Sequence, residues 1–395
     1  MEKSASTPLV KTIMTEFARL TGLSPASSAP RRYLWTDAFA VCNFLGLYQE
    51  SGSEEFKDLA LQLVDQVHRT LGRHRGDDSR TGRISGLDEE QGKKHPTRGG
   101  LRIGKQLQER GPTDPFDEGL EWDRDGQYYH YLTKWMHALN RVSRVTGDIQ
   151  YHTWAAELAK TAHARFVYAS RRGGSKKMYW KMSIDLSRSL APSMGQHDPL
   201  DGFVTYSELQ ATAAKKDEES IETDLRAEIL DMVQICQGRS WVTEDPLGIG
   251  GLLFDAFRVA QLMARGDLEQ TDLLETLLET LLESSLIGLE SFVIENSLKL
   301  PVGYRLAFRE LGLSIGLRAV ERIRGRIEQE STPLRNKEPL RSRLEILGRY
   351  SGLREIIEKF WLEGANREAG SYAAHHDINE VMLATSLSPD GFLEL

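Results

Sequence analysis

Apolar residues recur along this chain at helical spacing, and the strict alternation of strands is rare. Leu9, Ile13, Phe17 and Leu20 share one stripe and predict an amphipathic helix over about Pro8 to Leu20. The next segment, about Trp35 to Tyr48 (WTDAFAVCNFLGLY), is apolar almost all round, as in a helix buried on several sides. Glu54 to Leu71 is one-sided again, with a charged outer face. The alternation continues with a dense aromatic stretch over Gln127 to Val145 and an amphipathic one over Gln150 to Phe166. Trp180 to Ala214 mixes Ser, Met, Gly and aromatics, and Glu219 to Gln237 is amphipathic and acidic. Leu247 to Met263 is apolar, Glu269 to Leu286 is striped with Leu and Glu, and Arg305 to Ile323 is mostly apolar. Pro339 to Leu362 is amphipathic, and His375 to Leu387 is short and apolar after a polar start.

This makes about twelve helices, amphipathic ones alternating with apolar ones, which predicts six helical hairpins. Hairpins of this kind stack as an open solenoid or close into a ring. The pattern begins with an amphipathic helix and ends with a buried one. Closing the ring therefore puts helix one outside, beside the last inner helix. The expected fold is an all-α (α/α)6 toroid, residues 1–395 as one domain; the alternative is an open solenoid or a generic bundle. One region interrupts the pattern. Arg75 to Asp125 is rich in Gly, Arg, Asp and Pro and too long for an ordinary helix connection. We expect an ordered flap with a short hairpin, burying Leu101, Ile103 and Leu107. Glu328 to Glu338 reads as a polar surface loop.

A chain of 395 residues with net charge -8 lacks the strong basic field that nucleic acid requires as a main partner. Its two cysteines, Cys42 and Cys236, provide neither a disulfide framework nor zinc spacing, and each lies in an apolar helical stretch that predicts burial. No apolar leader is evident at the N-terminus and no stretch approaches a membrane span, so a cytoplasmic protein without a membrane partner is expected. Gly99 to Lys105 (GGLRIGK) fits a phosphate-binding loop only in part. Gln106 stands where Ser or Thr is needed, and no apolar strand precedes it. No cofactor is expected. The basic cluster Lys93, Lys94, His95, Arg98, Arg102 and Lys105 reads as a solvated loop or as a contact to a substrate anion.

The segments leading into the inner helices are polar and aromatic: RRYLWTDAF, EWDRDGQYYHY, MGQHDPLDGFVTY, RSWVTEDPLG, PVGYRLAFRE and GSYAAHHDINE. In a ring they gather at one end and form one pocket. Aromatic faces pack on the C–H faces of a sugar while acids, Arg and His bond its hydroxyls. Such a lining also holds paired carboxylates for glycosidic cleavage, one protonated and one ionised. Asp123 and Asp125 flank Arg124 and are the first acid/base candidates, with Asp37, Glu244, Asp245 or Asp377 as partner. Trp35, Trp122, Tyr128 and Trp241 are expected to form the stacking wall. Plainer roles compete. Asp125, Asp37 and Asp245 also suit helix caps, and Asp377 with Glu380 suits a capping arrangement. His130 and His137 share a helix face, as core or surface histidines do. His375, His376, Asp377 and Glu380 form a suggestive cluster, but no second ligand pair supports a metal.

The helical alternation and these aromatic, charged segments resemble the six-hairpin toroid superfamily of glycoside hydrolases and N-acylglucosamine 2-epimerase-like sugar isomerases. The resemblance covers nearly the whole chain and rests on architecture. It implies catalysis by Asp or Glu near inner-helix starts, compatible with EWDRDGQ and WTDAF. For an epimerase it implies a histidine pair, such as His375 or His376 with His130 or His197. A carbohydrate-active enzyme, in the first place a glycoside hydrolase, is the leading expectation, acting on a small-molecule or oligosaccharide substrate. A sugar epimerase or isomerase comes second, and a non-catalytic toroid that binds a ligand or partner protein third. Terpene-type cyclisation is disfavoured because no aspartate-rich magnesium motif is present.

Overall fold

The structure is a computed structural model that describes residues 6–169, 176–191, 193–215, 222–265, 271–328 and 337–395. The fold is all-α and divides into two compact units. One comprises Ala18–Gln237; the other joins the residues up to Phe17 to Gly238–Leu395.

The helices follow the apolar stripes closely: α1 Thr7–Leu20, α2 Leu34–Ser51, α3 Glu54–Thr70, α4 Tyr129–Thr146, α5 Ile149–Phe166, α6 Asp198–Lys215 and α7 Arg226–Cys236. They continue as α8 Pro246–Arg265, α9 Thr271–Ile294, α10 Ala307–Ile327, α11 Lys337–Gly348, α12 Gly352–Leu362 and α13 His376–Leu387. In the first unit α4 is central, packing on α2, α5 and α6, with α3 against α2 and α7 against α6. Burial of α2 on nearly every side explains its all-round apolar sequence, whereas α4, buried from Leu132 to Ser143, holds buried polar residues among its apolar ones. In the second unit α8 and α10 pack on each other. The close approach is set by glycine, since a Cβ on Gly250 would lie 2.1 Å from the Gly312 carbonyl oxygen. The Ser6 hydroxyl donates to the Leu387 carbonyl at 3.0 Å, so the start of the chain meets the end of α13.

Several expectations change. Pro339 to Leu362 is two helices, because the α-helical ladder breaks in a turn between Gly348 and Gly352, and glycine has low helix propensity. α4 begins at Tyr129 because Gln127–Tyr128 pairs antiparallel with Lys181–Met182. Of the helix expected from Glu219, residues 219–221 lie outside the described residues, as do residues 329–336 of the expected 328–338 loop. Cys42 is buried, whereas Cys236 is only half-buried. By length and composition α8 is apolar enough to cross a membrane, against the expectation that no stretch is, yet 78% of that window is buried inside the protein.

The 75–125 flap is ordered without the expected hairpin. It carries two short helices, Glu89–Lys94 and Glu118–Asp123, and isolated bridges Arg73–Arg83 and Leu107–Arg124. Leu101 and Ile103 are fully buried, but Leu107 is exposed. The segment 101–104 runs between the starts of α2 and α4. Leu34 N–H donates to the Ile103 carbonyl (3.0 Å), and Ile103 N–H to the Gly126 carbonyl (2.8 Å). Gly104 adopts φ +95°, and a Cβ there would lie 2.2 Å from the Arg32 carbonyl oxygen, so the contact needs glycine.

Asp125 locks this arrangement. Its carboxylate is fully buried and accepts four hydrogen bonds. Oδ1 takes the Gly104 and Gly126 N–H groups (3.0 and 3.1 Å), and Oδ2 takes Arg102 (2.9 Å) and Arg75 (3.3 Å). Asp125→Asn leaves Arg102 without its counter-charge and Arg75 with Asp77 alone, and a buried pair that loses one member costs about 3–5 kcal/mol. Urea denaturation of the variant is expected to show that loss together with faster proteolysis within the flap; a change under about 1 kcal/mol contradicts the lock.

Candidate functional site

The short helix Glu118–Asp123 presents its side chains outward because Glu121 anchors it from below. Buried Glu121 pairs with Lys181 at 2.9 Å and accepts from Arg110 Nε at 3.0 Å, while Asp117 caps the helix by accepting from Leu120 N–H at 2.9 Å. Lys181 Nζ also donates to the carbonyls of Glu121 and Arg124. Burial pushes the Lys181 ammonium below the usual lysine range, opposed by Glu121. Trp122 and Asp123 thereby face solvent. Lys105 donates to the Trp122 carbonyl, and burial lowers its pKa against the opposing charges of Asp123 and Asp125.

From Trp122 a run of rings leads inward. Trp122 lies 5.0 Å from Trp180, which stacks on Tyr128 (5.1 Å, 11°), which stacks on His130 (5.4 Å, 15°). Tyr131 and Trp35 meet His130 edge-on at 4.9 and 6.1 Å. Trp180 Nε1 donates to Ser193 Oγ at 2.9 Å. The Tyr33 and Tyr131 hydroxyls share a hydrogen bond of 2.7 Å, and burial pushes Tyr33 up to about 12, against the lowering effect of Tyr131 and with a small rise from Asp125. Beyond His130 stands Asp198 at the start of α6, its Oδ1 3.5 Å from His130 Nδ1. Asp201, one turn on, accepts from Lys134 at 2.8 Å and from Thr133 at 2.5 Å. Two acids in this first turn also suit the positive end of the helix dipole.

The first unit thus brings together Trp35, Trp122, Asp123, Tyr128 and His130. The expected stacking wall is corrected in detail. Trp122 is 50% exposed, whereas Trp35 is 8%, Tyr128 1% and Trp241 3% exposed, so only Trp122 offers a broad face to a ligand. Both faces of Tyr128 are already covered by Trp180 and His130. Asp37 and Asp125 are structural anchors in this geometry. Buried Asp37 accepts from Arg32 (3.2 Å) and reaches back to Tyr33 N–H (3.0 Å) at the start of α2. Asp125 is no helix cap, and its cations are Arg75 and Arg102; Arg124 pairs instead with Asp114 at 3.5 Å. Arg102 is committed to Asp125 and to the carbonyls of Arg73 (3.0 Å) and Thr70 (3.1 Å), not to a substrate anion. Gly99–Lys105 opens no helix, unlike a phosphate-binding loop. His197 is half-buried just before α6, and His137 is fully buried against Glu208 at 3.0 Å. Trp180, Lys181 and Asp198 were missed. The aromatic and basic Met178–Met182 (MYWKM) and the acidic start of α6 (DPLD) were the available signals.

Trp241, Glu244, Asp245, His375, His376 and Asp377 belong to the second unit. Asp245 caps α8, accepting from Leu247 N–H at 3.1 Å, and pairs with Arg309 at 3.0 Å; Glu244 is exposed. His375 and His376 are exposed. His375 sits edge-on to Phe308 at 5.6 Å, and His376 lies 3.5 Å from Asp377. The expected Asp377–Glu380 capping arrangement is absent: α13 has no side-chain cap, and Glu380 instead takes Arg367 (2.6 Å) and Tyr372 (2.9 Å). Among the described residues no group of three or more His, Cys, Asp or Glu is placed to hold a metal ion.

No protein-family model and no curated protein matches the chain. Solved structures do. A family 76 glycoside hydrolase from a bovine Bacteroides thetaiotaomicron strain is similar over 100% of this chain and 79% of its own, with TM-score 0.55 at 10% identity. The GH76 α-mannanase BT2949 of Bacteroides thetaiotaomicron is similar over 96% of both chains, with TM-score 0.52 at 8% identity. A sugar epimerase from a ruminal bacterium has TM-score 0.49 at 10% identity, over 96% of this chain and 98% of its own. The likeness to the two glycoside hydrolases shows the fold alone: the chain has the (α/α)6 toroid fold.

The raised Tyr33 value has a consequence for stability. Between about pH 10, where an unfolded tyrosine ionises, and about 12, the unfolded chain has released a proton that the folded chain keeps. Stability therefore falls across that window as pH rises. Tyr33→Phe removes this contribution, so urea midpoints measured against pH should fall less steeply for the variant than for the wild type; identical slopes contradict the assignment.

Proposed function

We propose that this protein is a carbohydrate-active enzyme, a glycoside hydrolase, whose sugar platform is Trp122 and whose acid/base group is Asp123. The observation that carries the reading is the pairing of a half-exposed indole with an exposed carboxylate on one firmly anchored turn. An indole face packs on the C–H face of a pyranose, and the neighbouring carboxyl is then in position to exchange a proton with the glycosidic oxygen. Trp180 stiffens Trp122 from behind, and Lys105 supplies a nearby positive charge. The likeness in fold to two glycoside hydrolases supports the same class and leaves sugar, linkage and stereochemistry open.

A second reading, sugar epimerisation or isomerisation, is favoured by the half-exposed His130 ring beside Asp198. Proton exchange at a sugar carbon without a new reducing end identifies it.

The test is reducing-end release across a panel of oligosaccharides, α-mannans included. Asp123→Asn is expected to lower kcat about 10²–10⁴-fold, the usual contribution of an acid/base group. Trp122→Ala is expected mainly to raise KM. Full turnover by Asp123→Asn contradicts the assignment, and a chain that binds sugars but turns over none of them is a binding protein.

A further inference from the structure

Among the buried side-chain polar atoms of the first unit that lack a hydrogen-bond partner among the described residues, three belong to side chains gathered around one histidine. Trp35 Nε1 is a donor, Tyr128 OH is a donor or acceptor, and Asp198 Oδ2 is an acceptor. Trp35 meets His130 edge-on, Tyr128 stacks on it, and Asp198 Oδ1 faces its Nδ1 at 3.5 Å. All three side chains are more than nine-tenths buried, whereas the His130 side chain is about a third exposed. Each unpartnered buried group costs roughly 1–3 kcal/mol, so three around one ring is an expensive arrangement for a purely structural core.

Three other buried aspartates in the same unit are satisfied. Asp125, Asp37 and Asp201 each accept from cations or N–H groups on both oxygens. Asp198 differs. Its 3.5 Å approach to His130 is an ion-pair distance, longer than a good hydrogen bond. Its other oxygen lies against Gly195, where a Cβ would come within 2.4 Å, so the glycine leaves the carboxylate its room.

We propose that Trp35 Nε1, Tyr128 OH and the Asp198 carboxylate form a binding site for the hydroxyls of one sugar unit, covered by the His130 ring. One donor, one acceptor and one group that does both match the mixed demands of adjacent hydroxyls. The ring is the accessible element of the group, and in this proposal a ligand reaches the three atoms by displacing it. The site deepens the carbohydrate reading, on which the choice of ligand rests, and adds Asp198 and His130 as residues that select for hydroxyl pattern.

The experiment is calorimetric titration of the wild type and of W35F, Y128F, D198N and H130A with D-mannose, D-glucose and D-galactose, alongside the reducing-end assay on oligosaccharides. The site predicts that at least one monosaccharide binds, and that Y128F and D198N each weaken it about tenfold or more, the effect of losing a hydrogen bond to a buried group. H130A binds at least as tightly as the wild type, because it removes a cover and none of the three partners. In the absence of sugar, the Tm of Y128F matches or exceeds that of the wild type, because the substitution removes an unpartnered hydroxyl. A clear drop in that Tm means that the hydroxyl is already satisfied, and it overturns the proposal. Sugar binding unchanged in Y128F and D198N overturns it as well. Failure here is separable from failure of the hydrolase reading: cleavage that survives intact in Y128F and D198N sinks the site alone. Asp198-dependent sugar binding without any cleavage sinks the hydrolase alone.

Discussion

Asp125 is a carboxylate with no solvent contact, and the placement of the candidate site depends on it. Two backbone N–H groups and two guanidiniums meet there, drawn from the 75–104 part of the flap and from the turn before α4. The anion would not be tolerable at that depth without them, and Arg102 has no other carboxylate partner among the described residues, whereas Arg75 also pairs with Asp77. Their mutual neutralisation fixes the flap to the starts of α2 and α4. From that fixed edge the Glu118–Asp123 helix is hung through Glu121, Lys181 and Arg110. The exposed Trp122 and Asp123 are therefore mounted on a turn anchored to buried partners.

The aromatic run follows from the same construction. Pairing of Gln127–Tyr128 with Lys181–Met182 brings Trp180 over Tyr128, and the turn into α4 sets His130 on its other face. A ring stack that begins half in water at Trp122 and ends beside the buried Asp198 joins an open platform to an enclosed polar group. Sugars require both kinds of surface: flat apolar contact for the ring and paired polar groups for the hydroxyls.

The helices were legible because each keeps its stripe over several turns, and periodicity of that length survives local exceptions. Legibility failed where a single residue type serves two purposes. Asp123 and Asp125 read alike in EWDRDG, two places apart around an arginine, and only the contacts made from the distant Arg75 and Arg102 distinguish an exposed acid from a buried anchor. Trp241 reads as a ligand-facing aromatic and is core, since an aromatic side chain carries no mark of which way it points. Trp180 and Asp198 went unnoticed because their partners lie far along the chain, across a strand pair and a helix start that short motifs do not announce. The flap showed its length and its buried Leu101 and Ile103, but its irregular backbone, held by side chains, leaves no periodic signal.

The most direct test of the account is a crystal structure of the protein with an uncleaved oligosaccharide bound to an Asp123-blocked variant. The account predicts a pyranose lying flat on Trp122, with the residue-123 side chain within about 3 Å of a glycosidic oxygen, the reach required of an acid/base group. An oligosaccharide bound elsewhere, with Trp122 bare and residue 123 facing only water, would contradict it.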